Sequence, residues 1–272
     1  MKSSVVTIIL PAYNGAKWIE KAIKSALAQS FDDFEFIILN DDSSDNTEEI
    51  IKKFASQDTR IKYLKNAKNL GVQKTRNIAL EKSQGEYIAE IDQDDEWIDT
   101  DKLRKQIEFL KNNTNYVLIG TGAVMVDENS VELARYLMPK TDVEIKKKIL
   151  RANCFIHSSV VYRASVVKKI GGYTVEKMSE DHDLWLRLGR VGKFANLEEY
   201  AVQYRFSTRG YNSSDKIVRL KQNLLFAKEH KDFYPNYFFA LLSGCIKIFF
   251  YPIFKLMPVK LKGIFLLLHK KI

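Results

Sequence analysis

Cysteine is scarce: Cys154 and Cys245 are the only two in 272 residues. They stand far apart and form no CxxC pair, which excludes a disulfide framework and a cysteine-built zinc site. Cys154 and His157 have a ligand-like gap, yet no second pair joins them, and a core cysteine is the better reading of the first. Glycine-rich phosphate loops are missing too. Neither GxGxxG nor GxxxxGKS occurs, which argues against a nicotinamide enzyme and a P-loop enzyme. Lys2 is the only charge before the first apolar run, which is short and stops at Pro11. That pattern is not an export signal, so the chain is expected to stay in the cytoplasm. Internal repeats and low-complexity linkers are also lacking.

What is present fits one large α/β domain with an appendage. Apolar residues make up 46% of the chain, enough for a buried core, and the net charge of +9 suits phosphate ligands or an anionic membrane face. Residues 5–10 form a continuous β-branched and apolar run, the pattern of a strand buried on both faces. The apolar spacing over 15–29 predicts a helix. Strands follow at 34–39, 60–64 and 87–91, with helices between them at about 46–56 and 72–83. This alternation predicts a doubly wound, mostly parallel, Rossmann-like sheet flanked by helices. Ligands bind such sheets at the carboxyl ends of the strands. Polar clusters stand just there, at residues 11–14, 40–45 and 92–95, and are expected on one rim. The second part is less regular. It reads as a strand pair or one long strand at 116–126, a strand at 155–162, and helices at 142–150, 180–190 and 215–230.

Asp92-Gln93-Asp94-Asp95 offers carboxylates at i and i+2. They can share a hard divalent cation, which takes oxygen ligands and keeps substrate phosphates in its shell. A diphosphate leaving group needs such a cation as its bond breaks. A solvated acidic loop before a helix at 101–112 is the bland reading. Asp41 can accept a hydrogen bond from a base ring N–H, and Arg76 can pack against or bond the base and phosphate; otherwise Arg76 is a solvated helix residue. Asp45 reads as a helix cap. Glu180-Asp181-His182-Asp183 opens a helix, where the macrodipole favours acids. Capping there competes with a role for one carboxylate as general base toward an acceptor hydroxyl.

Together these clusters resemble the family 2 glycosyltransferases, which have the GT-A fold. The likeness begins with Val6-Thr7-Ile8-Ile9-Leu10-Pro11-Ala12-Tyr13-Asn14 and continues through Asn40-Asp41-Asp42-Ser43-Ser44-Asp45-Asn46-Thr47, Asn69-Leu70-Gly71 and Arg76-Asn77. Gly85-Glu86-Tyr87-Ile88-Ala89, Asp92-Gln93-Asp94-Asp95-Glu96-Trp97 and Glu180-Asp181-His182-Asp183-Leu184-Trp185-Leu186-Arg187 complete it, in order, over about residues 4–210. Each motif alone is weak, but the ordered set is specific. The resemblance implies that Pro11, Tyr13, Asp41, Arg76, Asp92 and Asp94 hold a nucleotide-sugar. It implies Asp94 as the direct ligand of Mn2+ or Mg2+ and Asp181 as the catalytic base. It puts His157 and Glu180 on the acceptor side, with a satisfied core histidine as the other reading of His157, and Arg205 near the phosphates. Two departures stand out. Asp42 replaces the family's usual Gly, and Asp tolerates positive φ. The turn Asp99-Thr100-Asp101 is one residue longer than usual.

The implied activity is inverting, metal-dependent transfer from a UDP-sugar to a saccharide or lipid-linked saccharide, in surface polysaccharide assembly. A GT-A catalytic domain is expected over 1–210, with a nucleotide-binding half to about 110 and an acceptor-binding half over 111–210. The tail 211–272 is expected to be a helical appendage. From Tyr237 onward it is apolar and aromatic, with Lys247, Lys255, Lys260, Lys262, Lys270 and Lys271 and no acid. This composition fits helices lying in the membrane interface, peripheral on the inner face; packing on the domain or in a homodimer is the alternative. Pro252 and Pro258 are expected to break any single long span. Two other functions stay open: a sugar nucleotidyltransferase, which would want a Gly-rich loop after the first strand, and a membrane-associated sugar-nucleotide-binding subunit without turnover. Nucleic-acid binding is disfavoured, because the basic tail is aromatic rather than arginine-rich.

Overall fold

Strands β1 (Val6–Ala12) and β2 (Phe34–Asn40) are buried at every residue, as their unbroken apolar runs require. The computed structural model describes residues 5–174, 179–206 and 213–256, with the side chains of 213–216 and 252–256 excepted. After β1 come α1 (Ile19–Leu27), β2, α2 (Thr47–Gln57), β3 (Ile61–Lys65), α3 (Val72–Lys82) and β4 (Tyr87–Glu90). Short β5 (Glu96–Trp97) leads to α4 (Lys102–Asn112), the long strand β6 (Tyr116–Val126), β7 (Glu132–Tyr136) and α5 (Asp142–Lys148). Then follow β8 (Val161–Arg163), α6 (Ala164–Lys169), α7 (Glu180–Leu188), β9 (Lys193–Arg205), α8 (Ser213–Glu229) and α9 (Tyr237–Leu256).

The sheet runs β3-β2-β1-β4-β8-β6-β9-β5, with β7 paired to β6. Its first half is parallel. In the second half the expected parallel order holds only between β6 and β9, while β8 is antiparallel to both β4 and β6, β7 to β6, and β5 to β9. The sheet is mixed. Parallel neighbours need long crossover connections, and the turn at 127–131 is too short to supply one. The strand expected at 155–162 is also mostly absent. A tight turn at His157–Ser159 precedes β8, because Ser158 and Ser159 use their hydroxyls on Asp95 and on the Ile156 carbonyl.

Side chains alternate between two apolar layers. Ile8, Leu10 and Phe36 face α1, α2 and α4, while Ile9, Ile37 and Leu39 face a second core that includes Leu184, Trp185 and Phe194. Burying each such residue contributes roughly 1.5–3 kcal/mol. The last helices dock on the second layer through Phe226, Ala227, Tyr234 and Ala240. Helix α9 continues one turn beyond Pro252, so that proline does not end it. A proline near a helix's last turn removes one backbone donor without clearing the bonds behind it. Among the described residues, no helix is long and apolar enough to cross a membrane. Pro258 and the basic and apolar run at 260–271 lie outside the described residues.

Candidate active site

Strands β2, β1 and β4 lie side by side and point one way, so their carboxyl ends share a rim. The loops there enclose a cleft of about 480 Å³ whose walls include Pro11, Tyr13, Asp41, Arg76, Asp92 and Asp94. A second cavity, about 550 Å³, is lined by His157, Asp181, Asn153 and Tyr204 among others. Arg76, Asp92 and Glu180 line both and form the wall between them.

The first cleft is built by loops that hydrogen-bond one another. Asn14, at φ 48, accepts from Ser44 N at 2.8 Å, and its own N–H donates to Ser43 Oγ at 3.0 Å. Asp45 accepts from Ala16 N at 3.0 Å and Thr47 N at 3.1 Å, so it caps α2 and also ties down the first loop. Asp42 adopts φ 62, the conformation the family's glycine would supply. The longer turn at 99–101 is clamped by Gln29, which donates to the Asp99 carbonyl, and by Ser30.

Gln93 makes a two-way clasp. Its Oε1 accepts from Tyr13 N at 2.9 Å and its Nε2 donates to Tyr13 O at 3.0 Å. Gly15 permits this, because a Cβ there would stand 2.2 Å from Gln93 Oε1. Asp41 accepts from Asn66 Nδ2 at 2.7 Å, Leu70 N at 2.9 Å and Gly71 N at 2.9 Å. A carboxylate has about four acceptor sites, so one remains toward the cleft.

Arg76 is buried, with Nη1 donating to Glu180 at 2.8 Å, Nη2 to Asp92, and Nε 3.8 Å from Glu90. It joins the acidic loop to the start of α7. The three acids of that loop differ. Burial opposes the charge of Asp92, but Arg76 and His157 outweigh it and hold its pKa below the usual range. Burial and then Asp92 push Asp94 up to about 6. Burial, Asp94 and Asp92 push Asp95 well above its ordinary value. Asp95 is held by Ser158 Oγ at 2.5 Å and by Arg205 N at 2.8 Å.

In the second cavity, Asp181 accepts from Asn153 Nδ2 at 2.7 Å and from His182 N at 2.7 Å. His157 stacks on Trp185 and its Nε2 lies 2.9 Å from Tyr173 Oη, while Nδ1 faces Asp92 at 3.7 Å. Burial and Arg76 oppose its charged form, but Asp92 and Glu90 prevail and raise its pKa. It is a packed histidine whose edge lines the cavity. Cys154 is separate from it: buried, with its thiol pushed up to about 12 by that burial. Arg205 lines neither cavity. It stacks over Trp18 and donates to the Asp94 and Asp127 carbonyls, supporting the acidic loop from behind.

The sequence profile of glycosyl transferase family 2 matches residues 7–171. The chain belongs to that family. Among family 2 relatives, it is 30% identical to the uncharacterised glycosyltransferase MJ1057 of Methanocaldococcus jannaschii, over 98% of this chain and 92% of the other. It is 33% identical to Escherichia coli WfgD, a UDP-Glc:alpha-D-GlcNAc-diphosphoundecaprenol beta-1,3-glucosyltransferase, over 82% of this chain and 85% of that one. Its fold is similar to that of the mannosyltransferase PcManGT of Pyrobaculum calidifontis, solved with GDP-Man and Mn2+, with a TM-score of 0.68 at 16% identity, covering 91% of this chain and 70% of that one. S. aureus TarS 1-349 in complex with UDP gives a TM-score of 0.64 at 20% identity, over 82% of this chain and 65% of that one. The architecture is therefore the GT-A-like Rossmann fold with a mixed sheet, and the family transfers sugars.

One family 2 feature expected here is a metal. Among the described residues, Asp183, Glu229 and His230 bring ligand atoms within 4.8 Å of one another and form a group that could hold one. Guanidinium groups already engage it, since Arg187 donates to Asp183 at 2.8 Å and Arg190 to His230 Nδ1 at 3.2 Å. Gln93, Ser158, Asn153 and the clearance at Gly15 were missed in the sequence. Only Gln93, lying inside the acidic motif, carried a local signal.

Proposed function

We propose that this chain is an inverting glycosyltransferase that moves a sugar from a nucleoside-diphosphate sugar, a UDP-sugar first among them, to a saccharide or lipid-linked saccharide. One observation carries this reading: the cleft holding Asp94 and the cavity holding Asp181 share a wall, Arg76-Asp92-Glu180. Donor and acceptor can then meet across that wall. WfgD's donor and its diphosphoundecaprenol-linked acceptor support the choice of UDP and of a lipid carrier.

Asp94 fits a divalent cation, Mn2+ or Mg2+, better than the Asp183 group does. Its charge is undercompensated in the cleft, as its raised pKa records, whereas Asp183 already pairs with Arg187. When bound, the cation neutralises charge gathering on the leaving diphosphate. Pro11 and Tyr13 form the wall against the nucleotide, and Asp41 offers its remaining acceptor site to the base. Asn153 and the His182 amide orient Asp181, which takes the proton of an acceptor hydroxyl. The freed oxygen attacks the anomeric carbon as the bond to the diphosphate breaks, so an α-linked donor yields a β-glycoside. The exposed apolar face of α9 supports a peripheral position on the cytoplasmic face of a membrane, in surface polysaccharide assembly.

The test is Asp181→Asn. Donor affinity should stay, and transfer should fall by about 10²–10⁴-fold, the usual contribution of a general base. Turnover near that of the unsubstituted chain would remove Asp181 from this role. A panel of UDP-, GDP- and dTDP-sugars assayed for donor hydrolysis identifies the base.

A further inference from the structure

Helix α9 turns its largest apolar side chains to solvent. Phe238 is 81% exposed, Phe239 67%, Leu242 59%, Phe249 74% and Phe250 47%. Their spacing sets them on one stripe of the helix, opposite Ala240, which packs on the core. Soluble surfaces rarely carry such a continuous stripe without a partner. At its amino-terminal end the stripe meets a cleft of about 260 Å³, lined by Lys147, Lys148, Arg151, Asn236 and Phe239 among others. Asn236 donates to the Lys147 carbonyl at 3.0 Å and fixes α9 against the end of α5. Lys247 joins the same region, its pKa pushed down by burial and then by Arg151. Among the described residues, no acid pairs with Lys147 or Lys148.

We propose that this cleft and stripe form a docking surface for a bilayer bearing anionic phospholipid: the aromatics enter the headgroup region, and Lys147, Lys148 and Arg151 bind lipid phosphates. The pairing of basic groups with exposed aromatics decides the occupant, since an apolar face gains from acyl chains while the cations gain from phosphate. A second copy of the chain is a poorer fit. A two-fold contact through the stripe would bring both sets of cations to one interface, where like charges repel. The surface also lies close to the chemistry. Arg151 lines this cleft and Asn153, two residues on, holds Asp181; their Cα atoms are at most about 7 Å apart. A membrane seated here presents lipid-linked acceptor at the second cavity. This last step rests on the transferase reading; the docking surface itself does not.

The experiment is cosedimentation of the full chain with phosphatidylcholine vesicles, with and without phosphatidylglycerol, alongside donor hydrolysis in solution. The unsubstituted chain should bind only the anionic vesicles. Lys147→Gln with Lys148→Gln should weaken binding roughly 25-fold, about fivefold per lysine, and Phe239→Ser with Phe249→Ser should abolish it. Donor hydrolysis should be unchanged in both pairs, which also shows that they fold. Equal binding of the lysine variant and the unsubstituted chain to anionic vesicles would overturn the proposal. So would a vesicle-free dimer that Phe239→Ser dissociates. Loss of donor hydrolysis in the unsubstituted chain, with vesicle binding intact, would count against the transferase reading alone.

Discussion

Substituting Gly15 by Ala tests how the donor cleft is assembled. Gly15 is not among the glycines with positive φ, so alanine meets no backbone strain and gains about 0.4–1 kcal/mol through the unfolded state. The obstacle is steric: the new Cβ would lie 2.2 Å from Gln93 Oε1 and 2.6 Å from its Cδ. Gln93 must swing away and give up both bonds to the Tyr13 backbone. At about 0.5–1.5 kcal/mol each, the loss is about 1–3 kcal/mol, only partly offset in stability by the alanine gain. Donor binding has no such offset, because Tyr13 and the acidic loop must be ordered together. Donor affinity, measured by calorimetry with UDP and Mn2+, should fall about 5- to 150-fold, while the melting temperature drops by only a few degrees. Gln93→Ala should have the same effect, and the double variant should be no worse than either single one. Additive losses in that cycle would refute the clasp, since independent sites add to within about 0.5 kcal/mol. Gly15→Ala with unchanged donor affinity would refute it directly.

Metal-stimulated donor binding should weaken as pH falls through about 6, where burial and Asp92 hold Asp94, since the protonated acid has no charge to offer a cation. Asp94→Asn should make donor binding insensitive to metal at every pH, and a pH-independent metal affinity in the unsubstituted chain would contradict the assignment. Lys102 is buried beside Trp97, and that burial pushes its pKa down to about 7. The unfolded chain keeps this proton up to about pH 10.4, so stability should rise with pH between about 7 and 10. Lys102→Met should remove most of that slope and add about 2–3 kcal/mol near neutral pH, after allowing for the lost bond to Gln106; thermal denaturation of a variant no more stable than its parent would refute it.

The elements most legible in the sequence were those with a local signature. The runs of β1 and β2 need no distant partner to be read as buried strands, and the polar residues after them mark the rim. The second half was less legible because its pairings are tertiary. Strand β9 carries Glu198 and Glu199 in its middle, which breaks the apolar pattern, although its flanks at Phe194 and Val202 are buried. Ser158 reads as one residue of the strand expected at 155–162 until Asp95, far away in the chain, is brought to it. Arg76 and Arg205 were legible only as ligand-facing cations, or for Arg76 a solvated one, since a local pattern cannot show that four carboxylates and an indole face will enclose them.

The acidic loop shows why a motif of three aspartates does not mean three ligands. Asp92 is balanced by Arg76 and His157, and stays ionised as part of the wall between the cavities. Asp95 is enclosed by Ser158 and the Arg205 amide and anchors the loop. Both are occupied before any ligand arrives. Asp94 lines the cleft without a comparable counter-charge: Arg205 eases its charge only from a distance and bonds its backbone carbonyl rather than its carboxylate. Burial near Asp92 makes that isolation costly, and a bound cation would relieve it. The cost that burial and Asp92 impose on the Asp94 carboxylate therefore favours a divalent cation, and the diphosphate gains only through that cation. An arginine placed opposite Asp94 would supply the same neutralisation from within the chain and so compete with the cation.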